Sequence, residues 1–122
     1  QGAKRTLPLA VSVPSHCALM RPAAEQLESL LTYIQFHKPN IPVINNVNVA
    51  YPDDPDAIKK ALVEQLYSPV RWTETVIMLA ELGVETLLEM GPGKVLTGLT
   101  KRIDKRLSCT AINSIDSVNS LI

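Results

Sequence analysis

Apolar residues alternate with small or polar ones at the start of the chain. Leu7, Leu9, Val11 and Val13 fall on one side, and Pro8, Ala10 and Ser12 fall between them. A period of two predicts a strand over 6–13 with one face buried. Pro8 lacks a backbone donor, which suits a sheet edge. From Met20 the period changes. Met20, Ala23, Ala24, Leu27, Leu30, Leu31 and Ile34 recur at helical spacing, with Arg21, Glu25, Glu28 and Thr32 on the other side. This predicts an amphipathic helix over 20–36, stopped at His37-Lys38-Pro39 because the residue before a proline avoids helix. The stretch between the two elements, Pro14-Ser15-His16-Cys17, is where a strand hands over to a helix. Such junctions present side chains at a surface rim, where sites often form.

The rest of the chain continues in the same way. Residues 41–48 (Ile-Pro-Val-Ile-Asn-Asn-Val-Asn) read as a short buried strand running into a loop. Asn45 and Asn46 at its end suit a turn. Tyr51-Pro52-Asp53-Asp54-Pro55 is a turn cluster. A helix over 55–67 follows, with Pro55 near its start and Asp56 in its first turn. Ile58, Ala61, Leu62 and Leu66 form its apolar stripe, and Gln65 falls on the same stripe. A mostly apolar helix over 72–82 is stopped by Gly83. A strand over 84–90, a Gly91-Pro92-Gly93 turn, a helix from Lys94 to about Lys105, a strand over 108–113 and a weak helix over 115–122 complete the reading. Strands alternating with helices predict an α/β fold, with a parallel sheet covered on both faces.

Composition narrows the function little. The 122 residues are 46% hydrophobic and 20% charged, with a formal net charge of zero. These values are ordinary for a globular protein with one modest core and give no whole-chain argument for binding nucleic acid or membrane. No apolar run approaches the ~20 residues that a membrane-crossing helix needs, and no signal-peptide pattern follows Lys4 and Arg5. The first residue is Gln1, which fits a piece of a longer chain. Cys17 and Cys109 make no disulfide framework. A cytoplasmic setting, the expected location, would keep both reduced. Cys17 beside His16 reads as a small buried filler rather than a nucleophile, because sequence neighbours usually point apart.

Several motifs fail on spacing. Gly93-Lys94 is followed by Val95, and no glycine stands five before Gly93, so there is no Walker loop. The third glycine of a dinucleotide fingerprint would fall at Leu96. His16 and His37 have no cysteine or carboxylate at ligand spacing, which gives no metal site. No cofactor is expected, and His37 is given no role. Lys94, Lys101 and Lys105 share one face of the predicted 94–105 helix, roughly opposite Val95, Leu96, Leu99 and Ile103. The plain reading is a solvated face; the functional one is a docking surface for an acidic partner. His16 stands alone by spacing. A loop histidine satisfied by a backbone group is its plain reading, since imidazole serves structural as well as catalytic roles.

The exact words around His16 carry more. Gly2-Ala3-Lys4-Arg5-Thr6-Leu7-Pro8-Leu9-Ala10-Val11-Ser12-Val13-Pro14-Ser15-His16-Cys17-Ala18-Leu19-Met20 resembles the region of the catalytic histidine in bacterial malonyl-CoA:acyl carrier protein transacylases. Gln65-Leu66-Tyr67-Ser68-Pro69-Val70-Arg71-Trp72 and Gly91-Pro92-Gly93-Lys94-Val95-Leu96-Thr97-Gly98-Leu99-Thr100-Lys101-Arg102-Ile103 resemble the same family, in the same order. The family's enzymes are more than twice this length, and their nucleophilic serine sits in a Gly-His-Ser-Leu-Gly elbow in the N-terminal part. Such an elbow needs two glycines four apart. Gly2, Gly83, Gly91, Gly93 and Gly98 contain no such pair. The family's malonyl-binding arginine and its oxyanion-hole loop also have no counterpart.

The resemblance therefore implies a C-terminal portion of such an enzyme. Residues 1–14 would end in the last strand of a ferredoxin-like small subdomain. Residues 15–122 would form the C-terminal part of an α/β-hydrolase-like large subdomain. The implied reaction is a ping-pong malonyl transfer from malonyl-CoA to the phosphopantetheine thiol of acyl carrier protein, in fatty acid biosynthesis. His16 would be the general base and acid, and the missing N-terminal part would supply the serine. The chain alone would then be inactive. The resemblance also gives Gln65 as the residue whose backbone carbonyl orients His16. Chain chemistry supplies a reason: in a helix that carbonyl would accept from residue 69, and Pro69 has no N–H. The basic face of Lys94, Lys101 and Lys105 would meet the acidic carrier protein. Two other readings stay open at this level: an acyltransferase domain of a polyketide synthase, and a non-catalytic interaction domain.

Overall fold

The structure, a computed structural model, describes residues 2, 6, 7 and 12–121. Residues 8–11 of the strand expected over 6–13 lie outside that set. Among the described residues, five helices and two strands follow the His16 turn. They are α1 (Arg21–Leu31), α2 (Pro55–Tyr67), α3 (Trp72–Glu81), β1 (Thr86–Met90), α4 (Val95–Ile103), β2 (Ser108–Ile112) and α5 (Ile115–Asn119). A single 3₁₀ turn, Ala18–Met20, leads into α1.

The bounds of α2 follow from its ends. The Asp54 carboxylate accepts from the Ala57 N–H at 2.8 Å, and Pro55 takes the first helical position, where its missing N–H costs nothing. At the other end Ser68 is extended, as a residue preceding proline must be, so the helix stops at Tyr67. Helix α1 is shorter than its apolar spacing predicts. The Ser29 hydroxyl donates to the Glu25 carbonyl at 3.0 Å, and the Thr32 hydroxyl donates to the Ser29 carbonyl at 2.7 Å. These local bonds compete with the backbone ladder, and the chain tightens into i→i+3 turns at Tyr33 and Ile34.

Helices α1 and α2 pack as an antiparallel pair. Arg21 stacks over the Tyr67 ring at one end, 4.4 Å from its centre, while Leu31 and Thr32 meet Asp56 and Lys59 at the other. Ala24 and Ala61 are buried; Ala24 lines a recess with Val63 and Tyr67 of α2, whereas Ala61 lines one with Phe36 and Ile44. Residues 41–48 form no strand. Ile41 and Val43 are exposed, and only an isolated antiparallel bridge links Asn45 to Ala50. Pro42 removes one ladder donor, and the Asn45 side chain closes the backbone into a turn instead.

Strands β1 and β2 pair in parallel, with Thr86 opposite Ser108 and Met90 opposite Ile112. Helix α4 makes the crossover and packs on them. Thr86, Leu88, Met90, Ser108 and Thr110 are exposed, so the expected covering of both faces is met on one face only, among the described residues.

The turn from β1 into α4 has an unexpected cap. Gly91 and Gly93 both take positive φ, 140° and 94°, which side chains disfavour. Lys94, at the N-cap position, makes no capping bond. Glu89, at the end of β1, does so from outside the helix. Its carboxylate accepts from the Leu96 N–H at 3.1 Å, the Thr97 N–H at 2.7 Å and the Thr97 hydroxyl at 2.6 Å. The helix end where a phosphate would sit is therefore already occupied by this chain's own carboxylate. The Thr97 hydroxyl and the backbone N–H groups hold the Glu89 carboxyl below its usual range. A lowered folded-state value means that this stabilisation is present above about pH 4.5 and is lost as pH falls through the lowered value. Glu89→Ala should therefore lower Tm at neutral pH, and the gap from the parent should close as the solution is acidified. A gap independent of pH in thermal melts would contradict this role.

Candidate functional site

His16 occupies the turn before α1, where its backbone is left-handed, with φ of 59°. Histidine is among the few residues enriched there. Two neighbouring carbonyls of α2 hold it in that conformation. The His16 N–H donates to the Leu66 carbonyl at 3.1 Å, and the ring Nδ1 lies 2.9 Å from the Gln65 carbonyl oxygen. Neither carbonyl has a helical partner. The position four after Gln65 is Pro69, and Val70, four after Leu66, lies beyond the helix end. These orphan groups carry the partial negative charge of a helix C-terminus and suit an N–H donor.

A carbonyl oxygen can only accept, so the proton sits on Nδ1 and the neutral ring carries its lone pair on Nε2. Among the described residues no hydrogen bond reaches Nε2. His16 is exposed and lines a largely apolar cleft of about 460 Å³ with Ser15, Met20, Leu27, Leu62, Gln65 and Leu66. A proton-accepting nitrogen is thus presented, in a fixed orientation, at an apolar recess. Chemically the arrangement could serve as a proton acceptor, with a backbone dipole rather than a carboxylate orienting the ring.

Cys17 does not join it. Its Sγ donates to the Pro14 carbonyl at 3.2 Å, and the side chain is half-buried. His37 lies instead beside a separate apolar recess with Phe36, Val43 and Ile58. Among the described residues no cluster of three His, Cys, Asp or Glu side chains is placed to hold a metal, and no helix is long and apolar enough to cross a membrane.

The lysines are only partly arranged as their spacing predicts. All three are exposed, but α4 spans Val95–Ile103. Lys101 lies in the last turn of α4, Lys94 at the N-cap, and Lys105 beyond the C-cap residue Asp104, so helical periodicity no longer orders Lys105 with the other two.

Periodicity does not reveal a second set of contacts. The Gln65 side chain turns away from its own carbonyl, and its Oε1 accepts from the Asn46 N–H at 3.0 Å. The Asn46 carbonyl accepts from the Arg71 N–H at 3.1 Å, and Arg71 Nη1 donates to the Val47 carbonyl at 3.3 Å. The sequence signals are weak: a polar residue on an apolar helical stripe, facing an Asn-Asn turn.

No family-level sequence profile matches the chain. Individual relatives do. A curated "Malonyl CoA-acyl carrier protein transacylase" from Haemophilus influenzae is 59% identical over 120 residues, which is 98% of this chain and 38% of that protein. The crystal structure of an acyl carrier protein S-malonyltransferase from Vibrio cholerae superposes with a TM-score of 0.92 at 60% identity, over 99% of this chain and 40% of that one. A malonyl-transacylase solved in complex with its type II PKS acyl-carrier protein gives the same TM-score of 0.92 at 60% identity, over 98% and 38%. The chain thus spans about two fifths of the length of the relatives it matches.

Proposed function

The chain belongs with the bacterial malonyl-CoA–acyl carrier protein transacylases, and from that premise we propose that it supplies the base histidine of a malonyl transfer. The observation that carries the proposal is the 2.9 Å contact between His16 Nδ1 and the Gln65 carbonyl, which leaves Nε2 as the accepting nitrogen at an apolar cleft.

A serine hydroxyl is a poor nucleophile near neutral pH and needs a base within hydrogen-bond reach. In the proposed cycle a serine outside this chain attacks the thioester carbonyl of malonyl-CoA, and His16 Nε2 takes the hydroxyl proton. The tetrahedral intermediate collapses to malonyl-serine, and the proton passes from Nε2 to the departing thiolate of coenzyme A. The phosphopantetheine thiol of acyl carrier protein then gives its proton to Nε2 and attacks the malonyl-serine. Collapse returns that proton to the serine oxygen. The Gln65 carbonyl keeps the ring in one tautomer and stabilises the imidazolium that forms between the two transfers.

The exposed face of the β1–β2 sheet supports a division of labour. Parallel sheets are normally covered on both faces, and the serine-bearing part of the transacylase would cover this one. In this reading residues 1–14 end the small ferredoxin-like subdomain, and 15–122 belong to the large hydrolase-like one. Such a transfer would be a step of fatty acid biosynthesis. His16→Ala in the full-length transacylase should lower malonyl transfer by about 10²–10⁴-fold, the usual effect of losing a general base. The chain on its own should release no coenzyme A from malonyl-CoA. Near-normal turnover by the variant, or transfer by the isolated chain, would overturn the assignment.

The same reading gives Lys94 and Lys101 a place on the carrier-protein side. One of the similar transacylases has been solved with its acyl-carrier protein bound, which supports a carrier-docking surface in this family. Lys94→Glu combined with Lys101→Glu should weaken use of acyl carrier protein, increasingly so at low salt, and leave hydrolysis of malonyl-CoA nearly unchanged. Equal loss of both reactions in steady-state assays would make these lysines an ordinary solvated face.

A further inference from the structure

The turn at residues 45–50 is held more tightly than a surface connection requires. Asn45 is buried, with 8% of its surface exposed, and is fully engaged. Its N–H and its Nδ2 both donate to the Ala50 carbonyl at 2.9 Å, and its Oδ1 accepts from the Asn48 N–H at 2.8 Å. Val49 is left-handed, with φ of 52°, a conformation that β-branched residues adopt only where the surroundings force it.

This turn grips both ends of one short connection. The peptide of Asn46 receives the Gln65 side chain on its N–H and the Arg71 N–H on its carbonyl, at 3.0 and 3.1 Å. Gln65 lies in the last turn of α2, and Arg71 is the N-cap of α3. The connection between them is five residues, Leu66 to Val70, and Pro69 stiffens it. Arg71 is itself braced. Its Nε donates to Glu74 Oε1 at 2.7 Å, its Nη2 donates to Glu74 Oε2, and its Nη1 reaches the Val47 carbonyl. The Arg71 carbonyl accepts both the N–H and the hydroxyl of buried Thr75, each at 3.0 Å. The two carbonyls that hold His16 stand at the α2 end of this clamped connection.

We propose that the 45–50 turn is a positioning device for His16: the Gln65 side chain and Arg71 clamp the Asn46–Val47 backbone from two sides, and the clamp fixes the Gln65 and Leu66 carbonyls that aim the imidazole. Gln65 then acts twice, through its carbonyl on the ring and through its amide on the turn. This inference rests on the reading of His16 as the base. Arg71 and Asn46 touch no reacting atom and act only through α2, as positioning residues. A side chain that merely supports the fold would change stability and leave the chemical step alone, whereas one that aims the base acts on kcat.

The experiment is a double-mutant cycle in the full-length transacylase, measuring kcat and KM for malonyl transfer. Gln65→Leu keeps the backbone carbonyl and the side-chain volume but removes the acceptor for the Asn46 N–H. It should lower kcat about threefold to tenfold with KM nearly unchanged. Gln65→Glu, which still offers an oxygen to that N–H, should restore most of the loss. In a His16→Ala background Gln65→Leu should have almost no further effect, because the residue acts through the ring. Should Gln65→Leu not fold, Arg71→Gln, which releases Val47 from the opposite side, serves for the same comparison. Equal losses in both backgrounds, or a change confined to KM, would overturn the clamp while leaving His16 as the base. Undiminished activity of His16→Ala alone would overturn both, which separates the two failures.

Discussion

Two carbonyl groups that helix α2 cannot use itself determine the arrangement of the site. A helix leaves its last carbonyls unpaired, and burying them without a donor is costly. Here Pro69 removes the N–H that would have met Gln65, and the helix ends before Val70 can serve Leu66. The His16 turn supplies both missing donors, one from its backbone and one from its ring. The single tautomer of the imidazole follows from that pairing, which also ties the left-handed His16 turn to the end of α2. The Gln65 oxygen gives the ring its orientation without placing a full negative charge beside it.

A backbone partner changes what substitution can do. An orienting carboxylate can be deleted by changing one residue. A carbonyl persists through any substitution at position 65, so it can be disturbed only by moving the backbone that carries it. The orientation of the His16 ring therefore depends on whatever holds the end of α2: its packing against α1 and the hydrogen bonds that tie Gln65 and Arg71 to Asn46. The charged group in that clamp, the Arg71–Glu74 pair, is exposed, and the hydrogen bonds it directs at backbone matter more than its Coulomb energy.

Much of this is legible in the sequence, and the failures have physical causes. The bounds of α2 are plain because Pro55 and Pro69 act through covalent geometry, which no tertiary contact overrides. Strands β1 and β2 and helices α3 and α4 come within two residues of their expected ends, as turn glycines and apolar runs would give. Residues 41–48 mislead because Ile41, Val43 and Ile44 have strand composition, whereas the decisive bonds belong to the Asn45 side chain. Apolar spacing overextends helix α1 because it does not register hydroxyls that compete for backbone. The cap from Glu89 leaves no sequence signal because it comes from a strand rather than from the helix's own N-cap. Identifying His16 needs the wording around it, since a lone histidine has no period to betray it. The Gln65 carbonyl can be argued from Pro69, but the second role of its side chain depends on a turn nineteen residues away.

The ring nitrogen of His16 that carries the proton decides whether Nε2 can accept one. Nitrogen-15 NMR of the selectively labelled imidazole, recorded at a pH where the ring is neutral, reads this directly. The bond to Gln65 predicts a protonated Nδ1 and a bare Nε2, with Nδ1–H coupled across the hydrogen bond to the carbonyl of residue 65. A ring protonated on Nε2, or one exchanging freely between the two tautomers, would contradict the bond to Gln65, because Nε2 would then hold the proton for all or part of the time.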